Sequence, residues 1–269
     1  MSSSSSSNFL DNIKGFCIDI NGVLYNCGVD QPIEGSIDAI EQLKRHSLPF
    51  LLLTNQTTLD LISFTKFLNS IGFNQTPETI IAPAPQVAIY LEQNNLRPFL
   101  LTFPEVNGDF SHLDQSNPNC VVVGDAVQHF TYENMNRAFQ ILMDNQDAPL
   151  IAMGRSKYYL DNGKFVLDQG AFVTGLEYAA DRTAIIIGKP SANYFELALK
   201  QLDLKPEQVA MIGDDIRSDV GAAQSIGMKG ILVRSGKYRR ETDENHATIK
   251  PDLIVDNLAQ LVDKLLTTR

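Results

Sequence analysis

Short, fully apolar runs alternate along the chain with segments whose apolar residues recur every three to four positions. Gly15-Phe16-Cys17-Ile18 and Phe50-Leu51-Leu52-Leu53 predict buried strands. Between them, Ser36 is placed to cap a helix carrying Ile37, Ile40 and Leu43 on one face. Thr58 is placed to cap the next, with Leu61, Phe64, Leu68 and Ile71 inward and Gly72 closing it. The rhythm resumes at Ile185-Ile186-Ile187, followed by a Ser191-capped helix with Phe195, Ala198, Leu199 and Leu202. Val209-Ala210-Met211-Ile212 predicts a strand, Ile216, Val220 and Ala223 a helix, and Gly230-Ile231-Leu232-Val233 another strand. Uniformly apolar strands between amphipathic helices predict an α/β fold: a doubly wound, Rossmann-like parallel sheet covered on both faces.

The middle of the chain is less regular. Strand candidates at Cys120–Val123 and Leu150–Met153 stand among loop-like stretches, 107–119 and Asp161-Asn162-Gly163. They predict a second α/β unit inserted into the first. The expected organisation is a core domain of 14–82 and 184–269, an inserted cap of 83–183, and a disordered tail of 1–13 opening with Ser2 to Ser7. Phe130, Tyr132 and Phe139 are expected in the core of the insert.

Composition narrows the function classes. The 269 residues are 43% hydrophobic and 20% charged, as in a globular body. No apolar run approaches the ~20 residues of a membrane span. A net charge of −10 repels nucleic acid and anionic membranes, so neither is an expected partner. Cys17, Cys27 and Cys120 are odd in number and form no CxxC pair, which fits reduced thiols in a cytoplasmic or nuclear protein.

The candidate chemistry sits where polar residues follow apolar strands, because doubly wound sheets bind ligands beyond the carboxyl ends of their strands. Four such ends stand out: Asp19-Ile20-Asn21-Gly22, Thr54-Asn55-Gln56, Gly188-Lys189-Pro190, and Gly213-Asp214-Asp215 with Asp219 behind it. Each has an ordinary reading alone. Asn21-Gly22 is a hairpin signal, Thr54-Asn55 a turn, Lys189 a solvated lysine. Asp214-Asp215 is harder to dismiss, since adjacent acids repel unless a cation is near. Together they suit phosphoryl transfer. A carboxylate can attack phosphorus. Asp19 and Asp214 suit Mg²⁺, Lys189 adds positive charge, and Thr54 with nearby backbone N–H groups can hold phosphoryl oxygens.

These four segments, in this order and roughly this spacing, resemble the motifs of the haloacid-dehalogenase-like phosphatases. The large insert between the second and third is similar to the nitrophenyl-phosphatase-like subfamily. The resemblance implies Asp19 as covalent nucleophile and magnesium ligand, the Asn21 carbonyl and Asp214 as further ligands, and Thr54 and Asn55 as phosphoryl-binding residues. It implies Lys189 as the neutralising cation, with Asp215 and Asp219 behind, orienting waters or Lys189. It also implies a homodimer joined through the cap.

One position departs from the family pattern. Most members carry Asp, a general acid and base, two residues after the nucleophile; here it is Asn21. An amide delivers no proton, so strongly basic alkoxide leaving groups are disfavoured. The expected substrates are P–N compounds and inorganic pyrophosphate. Activated phosphomonoesters, or phosphate binding with little turnover, are the alternatives. His46, His112, His129 and His246 show no ligand spacing, and Tyr158-Tyr159 reads as packing, with a part in a substrate lid as the alternative. Arg234, Lys237, Arg239 and Arg240 read as a solvated basic face, with an anion-binding rim as the lesser alternative.

Overall fold

The computed structural model describes residues 9–268. Chain order begins β1 (Gly15–Asp19), the small hairpin β2 (Tyr25–Asn26) and β3 (Gln31–Pro32), α1 (Ser36–Arg45), β4 (Phe50–Leu53), α2 (Leu61–Ser70), β5 (Ile80–Ile81) and α3 (Pro83–Gln93). The insert then runs β6 (Pro98–Leu101), β7 (Cys120–Val123), α4 (Tyr132–Asp144), β8 (Leu150–Ala152), β9 (Tyr158–Asp161), β10 (Lys164–Leu167), α5 (Gln169–Ala180) and β11 (Ile185–Ile186). The chain closes with α6 (Ala192–Leu202), β12 (Val209–Gly213), α7 (Ala222–Ser225), β13 (Lys229–Val233), α8 (Arg240–Asp243), β14 (Leu253–Val255) and α9 (Leu258–Thr268).

The larger sheet is parallel with order β14-β13-β12-β1-β4-β5. From β1 the chain builds outward through β4 to β5, then returns to β1's other side with β12. That reversal makes the carboxyl end of β1 the topological switch point. Strand alternation sorts β1 between two cores. Phe16 and Ile18 join Ile40, Leu43, Phe64 and Leu261 on one face; Cys17 joins Phe195, Ala198 and Met211 on the other.

Several local expectations shift. The N-cap of α1 is Gly35, in a left-handed conformation, and Ser36 lies one position inside, its hydroxyl donating to the Leu24 carbonyl at 2.8 Å. Asp60, not Thr58, caps α2, accepting from the Ser63 N–H at 2.7 Å. Gly72 does follow the end of α2 with φ +107°. Residues 9–12 form a 3₁₀ turn, and Leu10 and Ile13 are buried in the main core, so apolar contact anchors this part of the expected tail. The serines lie outside the described residues.

The second sheet is also parallel, ordered β11-β8-β7-β6, with α4 and α5 on one face and α3 on the other. Ile185-Ile186 therefore does not rejoin the larger sheet: β11 pairs with β8. An apolar run carries no mark of which sheet will bury it. Phe130 and Phe139 pack against this core, but Tyr132 opens α4 on the outer side and is 85% exposed. Asn162-Gly163, both at positive φ, turn the β9–β10 hairpin, where the sequence pattern predicts only a loop. Among the described residues no helix is long and apolar enough to cross a membrane.

Candidate active site

β1 delivers Asp19 to the switch point, where it is almost wholly buried. Its Oδ1 accepts from the Ile20 N–H at 2.8 Å and lies 2.7 Å from Lys189 Nζ. Lys189 Nζ is also 2.7 Å from Asp219 Oδ1, so one buried ammonium bridges two acids. Burial opposes that charge, but Asp19 and Asp219 outweigh it and hold the ammonium protonated well above the usual lysine range.

Thr54, at the end of β4, is buried; its carbonyl accepts from Tyr194 OH at 2.8 Å and its Oγ1 from the Gln56 N–H at 3.0 Å. The Asn55 side chain clasps the backbone of Lys189 in both directions, accepting from its N–H and donating to its carbonyl, each at 2.8 Å. The amide therefore positions the lysine. This differs from the direct phosphoryl contact the resemblance implies, and leaves the Asn55 backbone N–H as its means of reaching a ligand. Asn21 Oδ1 accepts from the Cys27 N–H at 3.2 Å, stitching the first turn to the β2–β3 hairpin.

At the end of β12, Asp214 is buried with Oδ2 accepting from the Lys237 N–H at 2.7 Å, while its Oδ1 has no hydrogen-bond partner. Burial pushes its carboxyl well above the ordinary range, against the pull of Lys237 and with Asp19 and Asp219 adding to it. Asp219 is likewise lifted, to about 7, by burial, although Lys189 opposes it. Asp215 moves the other way. Despite burial, Lys237, whose Nζ sits 2.9 Å from Asp215 Oδ2, and the Ser218 N–H hold it low.

Lys237 is thus a site residue that the sequence reading assigned to a solvated face. It follows the carboxyl end of β13, as Asp19 ends β1 and Thr54 and Asp214 follow β4 and β12 of the same sheet, whereas Lys189 follows β11 of the second sheet. The turn holding it fits only glycine. A Cβ on Gly22 or Gly236 would collide with Asp214 Oδ2, and both adopt positive φ. Ser235 Oγ donates to the Gly22 carbonyl at 2.6 Å and locks the two turns together.

These groups floor a cavity of about 410 Å³. Its rim and roof carry Asp30, Asp125, Asp161 and Asp168, with Tyr159 among them. Roof and floor also touch directly: Thr57 Oγ1 accepts from the Asp125 N–H at 2.8 Å. Burial, with Asp125 nearby, raises Asp168 to about 7.

The floor fits a hard divalent cation. Asp19, Asp214 and Asp219 each offer a ligand oxygen within 4.8 Å of the others, all buried. An orphaned carboxylate oxygen on Asp214 is the donor a metal would satisfy. Asp219 is engaged by Lys189, which leaves Asp19 and Asp214 as the freer pair.

A haloacid dehalogenase-like hydrolase family profile matches residues 16–124, and a HAD-hydrolase-like profile matches 186–261. The chain belongs to the haloacid dehalogenase-like hydrolases, and it is an enzyme of that class. It is 40% identical, over the full length of both chains, to a Danio rerio protein named phospholysine phosphohistidine inorganic pyrophosphate phosphatase. It is 41% identical to the Homo sapiens protein of that name, over 96% of each chain. Its fold matches the crystal structure of a 4-nitrophenylphosphatase from Thermotoga maritima with a TM-score of 0.85 and 26% identity, covering 96% of this chain and 99% of that one.

Proposed function

We propose that the chain is a magnesium-dependent phosphohydrolase acting through an aspartyl-phosphate on P–N bonds (phospholysine, phosphohistidine, imidodiphosphate) and on inorganic pyrophosphate. The observation that carries this reading is the floor of the cavity: Asp19 held at 2.7 Å by Lys189, beside Asp214 with its unpartnered oxygen.

Asp19 and Asp214, with the Asn21 carbonyl, would hold magnesium, which when bound neutralises charge on the phosphoryl oxygens and on a departing phosphate. Asp19 Oδ1 is engaged by Lys189 and the Ile20 N–H, so Oδ2 is free to attack phosphorus. Lys189 offsets the charge gathering on nucleophile and phosphoryl group. Thr54 Oγ1 and the Asn55 backbone N–H orient the phosphoryl oxygens. Water then attacks phosphorus and releases phosphate, restoring the Asp19 carboxylate.

Asn21 gives no proton to the leaving group. An amine already protonated on nitrogen needs none: it is cationic while bonded to phosphorus and leaves as the neutral amine, and the acids Asp125, Asp161 and Asp168 of the roof favour binding that cationic group. The relatives' printed names support this choice. Likeness to a 4-nitrophenylphosphatase favours a second reading, activated aryl phosphates, whose leaving groups also need little protonation.

The test is phosphate release from pyrophosphate, imidodiphosphate, phosphohistidine, phospholysine and nitrophenyl phosphate, with and without Mg²⁺. Magnesium-dependent release from the first four supports the reading; release from nitrophenyl phosphate alone replaces it with the second. The three free thiols suit a cytoplasmic site of action. Exposed Tyr132 and Tyr178 on the cap helices offer apolar surface for a homodimer. Light scattering at the monomer mass would remove that part.

A further inference from the structure

A second, smaller cavity of about 160 Å³ adjoins the first. Asp214, Lys237, Ser156 and Ser218 line both and form the partition between them. The two cavities differ in charge. The first is dominated by aspartates. The second is bordered by Arg155 and Lys157 from the cap and by Arg217 and Lys237 from the core.

Of the three acids lining the second cavity, Asp214 keeps one unpartnered oxygen, the donor set aside for a metal, and the other two are answered. Asp215 accepts from the Arg217 and Ser218 N–H groups and pairs with Lys237. Asp243 accepts from the Arg239 N–H at 2.7 Å and from the Thr242 hydroxyl. Several cations are not answered. Arg155 is paired with Glu177, but among the described residues Lys157 and Arg217 have no carboxylate within ion-pair distance. Arg239, directly behind the wall, lies over Tyr158 and Phe165, donates to Tyr158 OH at 2.7 Å, and has a buried Nε with no partner. An uncompensated guanidinium and a free ammonium around a small recess make a place for a multivalent oxyanion.

We propose that this side cavity is a phosphate subsite, separate from the position where phosphorus is attacked and joined to it through Lys237 and Asp214. The ligand is a phosphate dianion, which reaches it either as orthophosphate released from Asp19 or as the distal phosphate of pyrophosphate. Because its cations come from both cap and core, a phosphate held there also draws the two units together. The inference goes beyond the proposed function, and only the pyrophosphate arm of its test rests on that reading.

The test compares wild type with the Lys157→Ala/Arg217→Ala double variant. Both side chains are exposed, and circular dichroism confirms the fold. With nitrophenyl phosphate as substrate, inorganic phosphate is expected to inhibit the wild type in a mixed pattern and the double variant competitively. KM for pyrophosphate, divided by KM for nitrophenyl phosphate, is expected to rise about tenfold in the variant, an effect of roughly 1.4 kcal/mol. Relief of mixed inhibition alone identifies orthophosphate as the ligand; a raised ratio alone identifies the distal phosphate. Purely competitive inhibition of wild type with an unchanged ratio overturns the proposal, as does mixed inhibition that survives in the variant with an unchanged ratio. If neither substrate were turned over, the proposed function would fall, and calorimetric binding of inorganic phosphate to the two proteins would still decide the subsite: weaker binding in the variant supports it, equal binding overturns it.

Discussion

On the floor of the larger cavity, Lys189 lies between Asp19 and Asp219, and Lys237 lies against Asp215. On the roof, Asp125, Asp161 and Asp168 face the same space with no ammonium or guanidinium in ion-pair contact among the described residues. The floor is built on the ends of parallel strands and its acids are fixed by opposite charge and backbone N–H groups. The roof comes from the loops and hairpin of the insert. Asp125 and Asp168 each accept one backbone N–H, that of Gln169 reaching Asp168 Oδ1 at 2.6 Å, and Asp161, among the described residues, accepts only from the Asn162 side chain. The difference separates two tasks: one wall is held by fixed counter-charges, and the other presents acids without a counter-ion, of which burial pushes Asp125 and Asp168 up, so that their charge depends on what part of the substrate they meet.

The most severe way to break the floor is Asp19→Asn. An amide neither attacks phosphorus nor holds a cation, so kcat should fall by roughly 10⁴-fold or more. The melting temperature without magnesium should not fall, since one member of a crowded acid set is gone. Near-native turnover of this variant, measured as phosphate release, would remove covalent catalysis. Lys189→Met should cost about 10²–10³-fold in kcat. It should also destabilise the metal-free protein by roughly 3–5 kcal/mol in urea unfolding, because two buried acids lose their counter-charge. An unchanged unfolding midpoint would show that the floor does not depend on the ammonium.

Asn21→Asp sharpens the comparison by adding a proton donor to the floor. The exchange is nearly isosteric and keeps an acceptor for the Cys27 N–H. The ratio of alkyl phosphate to phosphoramidate turnover should rise about 10–10²-fold. An unchanged ratio would assign leaving-group selection to the roof instead.

On the roof, Asp168→Asn has the smallest expected effect. The native carboxyl is raised to about 7 from the ordinary 3.8, so it keeps its proton longer than in the unfolded chain. A raised acid costs stability as pH climbs from about 4 to 7, and the cost is complete above that. Asparagine keeps the N-cap of α5 and removes the cost. The variant should gain about 1–2 kcal/mol more at pH 8 than at pH 5 in chemical denaturation. A gain independent of pH would show that Asp168 is not held protonated.

The floor was more legible in the sequence than the roof, for a physical reason. A buried parallel strand is an uninterrupted apolar run, and the polar residue that ends it is conspicuous. Asp19, Thr54, Lys189 and Asp214 were all visible that way. Lys237 obeys the same rule, but three neighbouring arginines made it look like part of a surface cluster. Asn55 was visible as a site residue, whereas its clasp on the Lys189 backbone, 134 positions away, has no local signature. Roof acids sit in turns and caps, where aspartate is common for local reasons. Ile185-Ile186 shows a further limit, since apolar periodicity identifies a strand and says nothing about its partner.

The bond between Ser235 Oγ and the Gly22 carbonyl joins residues 213 positions apart, and Lys189 reaches Asp19 across 170. Loop closure of that span adds little to the equilibrium cost of the fold, but it sets when the site can exist. During synthesis Asp19 leaves the ribosome early, while the lysine that holds it, and then the turn that covers Asp214, are still unmade. A nascent or truncated chain ending just before Lys237 therefore has Lys189 to hold Asp19 and Asp219, but leaves Asp215 without its ammonium and Asp214 without the N–H that covers it. Under the proposed function, competence arrives late in translation, after the segment through Lys237 has folded back across the first turn.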